Sequence, residues 1–386
     1  MIFYGRQSIN EDDITAVVKV LQSDFLTQGP AIEKFEQYVA NYCGAKYAVA
    51  VTNATSALHI ACVAAGLKKG DILWTSPITF VASANCGRYC GADVDFVDID
   101  AKTYNMSVDM LGKKLALAAE NNKLPKVIIP VHFAGQSCDM AEIYELVKKY
   151  DVAIIEDASH AVGAEYLSHK VGSCRYSDMT VFSFHPVKIT TTGEGGMVLT
   201  NDEALYEKLN LLRSHGITRN PTDMTRKTDG DWYYQQIMLG YNYRMTDIQA
   251  ALGYSQMQRV DEFVTRRRYL AKRYNELLKD LPLILPYQAP DTNSSWHLYV
   301  VRIDFSRIKI SKQELFKRMQ SKGVTLNLHY IPVHTQPYYE NLGFRFGDFP
   351  VSEKYYEEAV TLPLYYELSD EKQEYIAEGL QDILQH

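Results

Sequence analysis

Four apolar runs in the 386-residue chain end in groups able to do chemistry. Residues 152–155 run into Glu156-Asp157-Ala158-Ser159-His160. Residues 180–184 run into His185-Pro186-Val187-Lys188, followed by Thr190-Thr191-Thr192-Gly193-Glu194-Gly195-Gly196. Residues 47–51 lead to Asn53-Ala54-Thr55-Ser56, and residues 72–74 to Pro77-Ile78-Thr79-Phe80. Taken singly, each group has an ordinary role: Lys188 as a solvated loop residue, Asp157 as a turn or cap, the glycines as a tight turn, and Thr55-Ser56 as a helix cap. Each also has a chemical one. Desolvation brings a lysine amine toward neutrality and makes it a nucleophile or Schiff-base former. A helix start offers free N–H groups and a positive dipole end, which bind anions.

Together the four ends fit one ligand, pyridoxal phosphate. That cofactor needs a lysine for its aldehyde, a carboxylate beside its ring nitrogen, phosphate donors and an apolar wall against its ring. The carboxylate matters because a protonated ring is the electron sink for a carbanion, and opposite charge keeps the proton in place. No metal or flavin site accounts for as many of these residues. Six cysteines lie scattered in apolar stretches; only Cys86 and Cys90 are close, and no second pair or nearby histidine completes a zinc set. They read as buried free thiols, with no metal expected.

Such ends need a scaffold. Residues 30–42 place Ile32, Phe35, Val39 and Tyr42 three and four apart, an amphipathic helix opened by Pro30. The alanine-rich stretch to Ala65 is a second helix, and residues 140–149 a third. Strands are expected at 47–51, 72–74, 94–97, 126–132, 152–155, 180–184 and 197–199. This alternation of helices with apolar strands predicts an α/β fold, a mostly parallel sheet covered by helices, with ligands beyond the strands' carboxyl ends. A long charged helix over 248–278, a strand over 296–303, and helices near 312–321 and from Asp370 form a smaller α+β C-terminal part. The expected division is a large cofactor-binding domain, 1–255, and a small domain, 256–386.

Composition limits the partners. A net charge of −7 argues against sequence-independent nucleic-acid binding. No apolar run approaches the roughly 20 residues of a membrane span, and residues 1–13 hold no signal core, so no membrane association and a cytoplasmic location are expected. The 28 tyrosines suit sugars, rings and interfaces.

The ordered motifs Leu26-Thr27-Gln28-Gly29-Pro30, Glu156-Asp157-Ala158, Ser183 through Lys188, Thr191-Thr192-Gly193-Glu194-Gly195-Gly196 and Gly240-Tyr241-Asn242-Tyr243-Arg244-Met245 resemble the DegT/DnrJ/EryC1/StrS sugar aminotransferases over nearly the whole chain. The resemblance implies the aspartate aminotransferase-like fold type I and pyridoxal 5′-phosphate as cofactor. Position by position, it implies Lys188 as the residue that takes the cofactor's aldehyde, Asp157 as partner of the ring nitrogen, and His160, glutamine in many relatives, as donor to the phenolic oxygen. An imidazole there makes a pH-sensitive charge an expectation. Thr55, Ser56 and Ser183 would bind the phosphate, joined by Asn242 from the partner subunit of a homodimer, and Phe80 would cover one ring face.

Tyr4-Gly5-Arg6-Gln7, the segment Arg213 to Arg219, and His329-Tyr330-Ile331-Pro332 are most similar to the family's pseudaminic acid branch. That likeness implies L-glutamate as amino donor and a UDP-4-keto-6-deoxy amino sugar, UDP-2-acetamido-2,6-dideoxy-β-L-arabino-4-hexulose, as acceptor at C4. Tyr4, Phe25, Leu26, Thr27, His329, Tyr330, Ile331 and Pro332 would line the sugar-nucleotide pocket, with Arg6, Arg219, Lys227 and Arg244 as candidate cations for the diphosphate. Alternatives are an aminotransferase for a D-configured UDP- or dTDP-4-keto-6-deoxy sugar, and a non-catalytic cofactor-binding regulator. The intact Lys188/Asp157 pair speaks against the second.

Overall fold

The computed structural model describes residues 1–385. Seven strands form the central sheet: β1 (Tyr47–Val51), β2 (Ile72–Thr75), β3 (Asp93–Phe96), β4 (Val127–Ile129), β5 (Ala153–Asp157), β6 (Met179–Ser183) and β7 (Gly196–Thr200). Their order is β1-β7-β6-β5-β4-β2-β3. Only β7 runs against its neighbours; β6, β5, β4, β2 and β3 pair in parallel. The exception has a local cause. No helix separates β6 from β7, so the chain turns back beside the strand it left, with Ser183 opposite Gly196. Gly196 is needed there, because a Cβ would stand 2.5 Å from the Asn53 backbone.

Helices cover both faces. Among them are α1 (Glu11–Leu21), α2 (Pro30–Cys43), α3 (Ala54–Ala64) and α4 (Ala82–Tyr89). α3 and α4 bury Leu58, Ile60, Ala61 and Cys86 against Val49, Leu73, Val127 and Val181 of the sheet. α2 buries Phe35 and Val39 on the opposite face, against Phe182, Met197 and Leu199. Both strand faces are therefore apolar, which is why these strands read as near-continuous hydrophobic runs.

Two expected elements differ. The strand expected over 126–132 stops at Ile129, where Pro130 offers no N–H to the ladder. The single helix expected over 248–278 is two, Asp247–Met257 and Val260–Leu278. Neither glycine nor proline marks the break. Arg259 leaves helical geometry and donates through Nη2 to the buried Asp13 carboxylate at 2.6 Å. The first helix packs on α1 and α2, while the second enters a separate C-terminal core around Tyr274, Tyr299, Leu315 and Leu380.

The chain's first residues join that C-terminal part. Ile2 N–H donates to Gly323, Thr325 N–H to Ile2, and Leu364 N–H to the Tyr4 carbonyl. These bonds carry Tyr4 to within 5.2 Å of the His329 ring, centroid to centroid.

Candidate active site

A cavity of about 880 Å³ opens beyond the carboxyl ends of β5 and β6, between the sheet and the segment 327–330. It gathers the groups that the strand ends promised. Asp157 is the last residue of β5, and Lys188 lies in the loop after β6. Both line the cavity, with Thr55 and Ser56 from the start of α3, Phe80 and Ser183.

The Asp157 carboxylate is held on both oxygens. Oδ1 accepts from the Ser159 amide (3.1 Å) and hydroxyl (2.6 Å), and Oδ2 from Ser83 Oγ at 2.6 Å. Because Ser83 gives its proton to the carboxylate, the 2.7 Å contact with Thr79 must be a donation from Thr79 to Ser83. An ionised oxygen accepts more than one hydrogen bond, so Oδ2 keeps capacity for a further donor. A pyridine N–H is such a donor. Ser83 and Thr79 were not foreseen, since nothing in an uncharged Thr-x-x-x-Ser pattern distinguishes it from a cap.

Lys188 retains some surface toward the cavity, but its amine lies deep in the protein. Burial lowers it to about 8, opposed by the Asp157 charge. At neutral pH roughly a tenth of the amines are thus unprotonated, against well under a thousandth for a solvated lysine.

Three imidazoles surround this amine, and burial together with the Lys188 charge pushes all three down: His160 and His297 well below the usual imidazole range, His329 to about 3. This overturns the expectation of a pH-sensitive charge at His160. The ring stays neutral across the working range. Its Nδ1 accepts from the Ala134 amide at 3.2 Å, so the proton sits on Nε2, 3.0 Å from Tyr330 Oη. His160 is a fixed donor rather than a switch.

The anion end is equally local in origin. Asn53 caps α3, its side-chain oxygen accepting from the Ser56 amide (2.8 Å) and hydroxyl (3.0 Å). The amides of Ala54 and Thr55 belong to the same first turn, where no preceding carbonyl serves them. Amine, carboxylate, helix start and Phe80 around one cavity match the donor set of pyridoxal phosphate, and the residues present fit that group.

Of the other expected site residues, Tyr4, His329 and Tyr330 line the cavity. Phe25 and Leu26 are exposed outside it, and Thr27 pairs with Thr246. Ile331 is exposed and Pro332 buried, both beyond the lining segment. Asn242 is exposed, its backbone paired with Ser214, and does not reach the cavity of its own chain. Nor do Arg6, Arg219, Lys227 and Arg244. Among the described residues lining the cavity, Lys188 is the only lysine or arginine. His297 and Asn327 line it unforeseen.

The sequence pattern of the DegT/DnrJ/EryC1/StrS aminotransferase family matches residues 7–381. The chain is similar to the UDP-4-amino-4,6-dideoxy-N-acetyl-β-L-altrosamine transaminase of Campylobacter jejuni, 35% identical over 100% of this chain and 98% of that one. It is 37% identical to the spore coat polysaccharide biosynthesis protein SpsC of Bacillus subtilis, over 99% and 96% of the two chains. Among solved structures, Helicobacter pylori PseC, an aminotransferase involved in the biosynthesis of pseudoaminic acid, matches with a TM-score of 0.90 and 30% identity over 100% and 99% of the chains. The PLP form of Spr1654 from Streptococcus pneumoniae matches with a TM-score of 0.89 and 28% identity over 99% and 98%.

Proposed function

The chain belongs to the DegT/DnrJ/EryC1/StrS aminotransferase family, and from that premise we propose that it moves an amino group from L-glutamate to C4 of UDP-2-acetamido-2,6-dideoxy-β-L-arabino-4-hexulose, giving UDP-4-amino-4,6-dideoxy-N-acetyl-β-L-altrosamine for pseudaminic acid synthesis. It is a sugar aminotransferase that depends on pyridoxal 5′-phosphate. The observation that carries the site assignment is the shared cavity of a desolvated lysine and a doubly held carboxylate.

When bound, the cofactor supplies an aldehyde that takes up amines and a cationic ring that spreads carbanion charge. The chain supplies the rest. Lys188 Nζ holds the cofactor between turnovers; once free, it takes the proton from the donor's α-carbon and later gives one back, as base and then acid. Asp157 Oδ2 accepts from the ring N–H and keeps it protonated. His160 Nε2–H donates to the phenolic oxygen. Thr55, Ser56 and Ser183 bind the phosphate, completed by Asn242 of the partner subunit, and Phe80 covers one ring face. Tyr4, His329 and Tyr330, which line the cavity, contact the sugar. One cavity serves two dissimilar substrates in turn, so ping-pong kinetics are expected. A UDP diphosphate needs more positive charge than this cavity holds, which supports a homodimer in which a second chain contributes.

The acceptor assignment rests on the full-length likeness to the C. jejuni transaminase and to PseC. A second reading is an aminotransferase for a D-configured UDP-4-keto-6-deoxy sugar, which would share the cofactor machinery and differ only in the residues that meet the sugar. Incubating the loaded enzyme with L-glutamate and each C5 epimer of the UDP-4-keto sugar, with NMR of the product, separates the two. Amination of the L-arabino epimer is expected. Preference for the D-xylo epimer selects the second reading, and amination of neither removes both.

The amine lowered to about 8 gives a further expectation. Only the neutral amine attacks an aldehyde, so the rate of cofactor capture by apo-protein should rise about tenfold from pH 6 to 7 and flatten above about 8. Stopped-flow absorbance measures it. A rate still climbing tenfold per unit beyond pH 9 would show an ordinary, solvated lysine.

A further inference from the structure

One wall of the cavity is a series of rings with polar tips. Centroid to centroid, His297 lies 4.4 Å from His160, His160 6.0 Å from Tyr330, Tyr330 4.9 Å from His329, and His329 5.2 Å from Tyr4. All five line the cavity, and Asn327 lines it beside them.

Three of these residues hold protons that no group among the described residues accepts. Tyr330 Oη accepts from His160 Nε2 at 3.0 Å, which leaves its own O–H free. Asn327 turns Oδ1 to the Leu328 amide at 2.8 Å, so both N–H bonds of Nδ2 are left over, on an atom that is open rather than buried. His297 has its Nδ1 buried without a partner, and burial holds the ring neutral, well below the usual imidazole range. A buried lone pair is tolerated without a partner better than a buried N–H, so the proton sits on Nε2, which is open. The cofactor assignment uses neither Asn327 nor His297, and it commits Lys188 elsewhere.

We propose that this wall binds the carboxylates of the amino donor, and binds them with neutral hydrogen-bond donors: His297 Nε2–H, Asn327 Nδ2–H and Tyr330 O–H. The inference rests on the proposed use of L-glutamate, which brings two carboxylates into a cavity with no arginine among its described lining residues.

Neutral donors suit substrates that alternate. A guanidinium would pair a carboxylate tightly, but it would stand unpaired when the sugar follows, and a stranded buried charge is costly. An O–H or N–H that bonds a carboxylate in one half-reaction bonds a sugar hydroxyl or carbonyl oxygen in the next. The bond to the ionised oxygen is the stronger of the two, so the same groups still favour an acid. Tyr330 therefore serves both substrates in turn.

Glutarate, a dicarboxylate without an amine, reads the wall apart from turnover. Titrated by calorimetry into the cofactor-loaded protein, it should bind the wild type, and bind Asn327→Leu and Tyr330→Phe about tenfold more weakly. Both positions are half-buried, and the cofactor's absorbance should be unchanged in both variants. Asn327→Asp is nearly isosteric and keeps an oxygen for the Leu328 amide, but it sets a negative charge where the donor stood. Glutarate affinity and the half-reaction with L-glutamate should then fall by a factor on the order of a hundred, while the sugar half-reaction, whose hydroxyls can donate to Asp, falls far less. A merely structural role would lower both half-reactions together. A wild type that binds glutarate but does not react with L-glutamate would remove the proposed donor and leave the wall standing. No glutarate binding in the wild type, equal affinity in all variants, or equal losses in the two half-reactions would overturn the assignment.

Discussion

Lys188→Ala should lower turnover by a factor on the order of 10⁴ or more and leave the cofactor without a covalent anchor, while the protein stays folded. Both losses follow from one amine. Among the described residues it is the only lysine lining the cavity, so no neighbouring amine there can take over as nucleophile or as the base that moves the proton. The same variant should gain stability as apo-protein at pH 7. Holding the amine at about 8 instead of its ordinary 10.5 costs the folded state up to about 3 kcal/mol wherever both states are protonated, that is, below about pH 8. Between about 8 and 10.5 the folded amine sheds its proton while the unfolded one keeps it, so the penalty shrinks; above that it is gone. Thermal melts of the two apo-proteins should therefore start apart at pH 7, the variant higher, and converge as pH rises. The half-reaction with L-glutamate, followed by cofactor absorbance, gives the catalytic part. Turnover near the wild-type level would remove Lys188 from the mechanism, and melts that stay parallel to pH 10 would remove its desolvation.

Asp157 and Lys188 were legible in the sequence because a strand buried on both faces leaves a plain signature. Its apolar run stops abruptly, and the first polar groups after it stand where ligands bind in such sheets. The start of α3 was legible for a similar reason, since Asn53 is a local cap. What holds those groups was not. Ser83 comes from another helix to reach Asp157, Tyr4 arrives through backbone pairing with residues 323 and 364, and Arg259 at the helix break donates to Asp13, far away in sequence. None of these leaves a periodic trace. The charge state of His160 was not legible for the same reason: an imidazole's residue type suggests titration near neutrality, and only its burial beside a lysine pushes it well below that range.

Asp157→Asn tests whether the carboxylate acts by charge or by shape. The two side chains are nearly isosteric, so the Ser159 amide and hydroxyl can still donate to an oxygen at the Oδ1 position. The amide nitrogen then occupies the Oδ2 position, facing both Ser83 and the cofactor's ring. There it is a donor where an acceptor stood. A ring nitrogen meeting an N–H is favoured unprotonated, and the ring loses the positive charge that makes it an electron sink. Cofactor binding should weaken but persist, because the Lys188 attachment and the anion site at α3 are untouched. The rate with saturating cofactor should fall by a factor on the order of 10² to 10³, the scale of losing one preorganised electrostatic partner of a developing charge. Asp157→Ala separates this from simple disorder. It removes the charge but leaves room beside the ring, so a cofactor methylated at the ring nitrogen, and hence permanently cationic, should recover part of the lost rate in the alanine variant. An unchanged rate in Asp157→Asn would mean that the ring's charge is held by something other than this carboxylate. Failure of the methylated cofactor to help Asp157→Ala, despite full binding, would mean that Asp157 orients the ring rather than charging it.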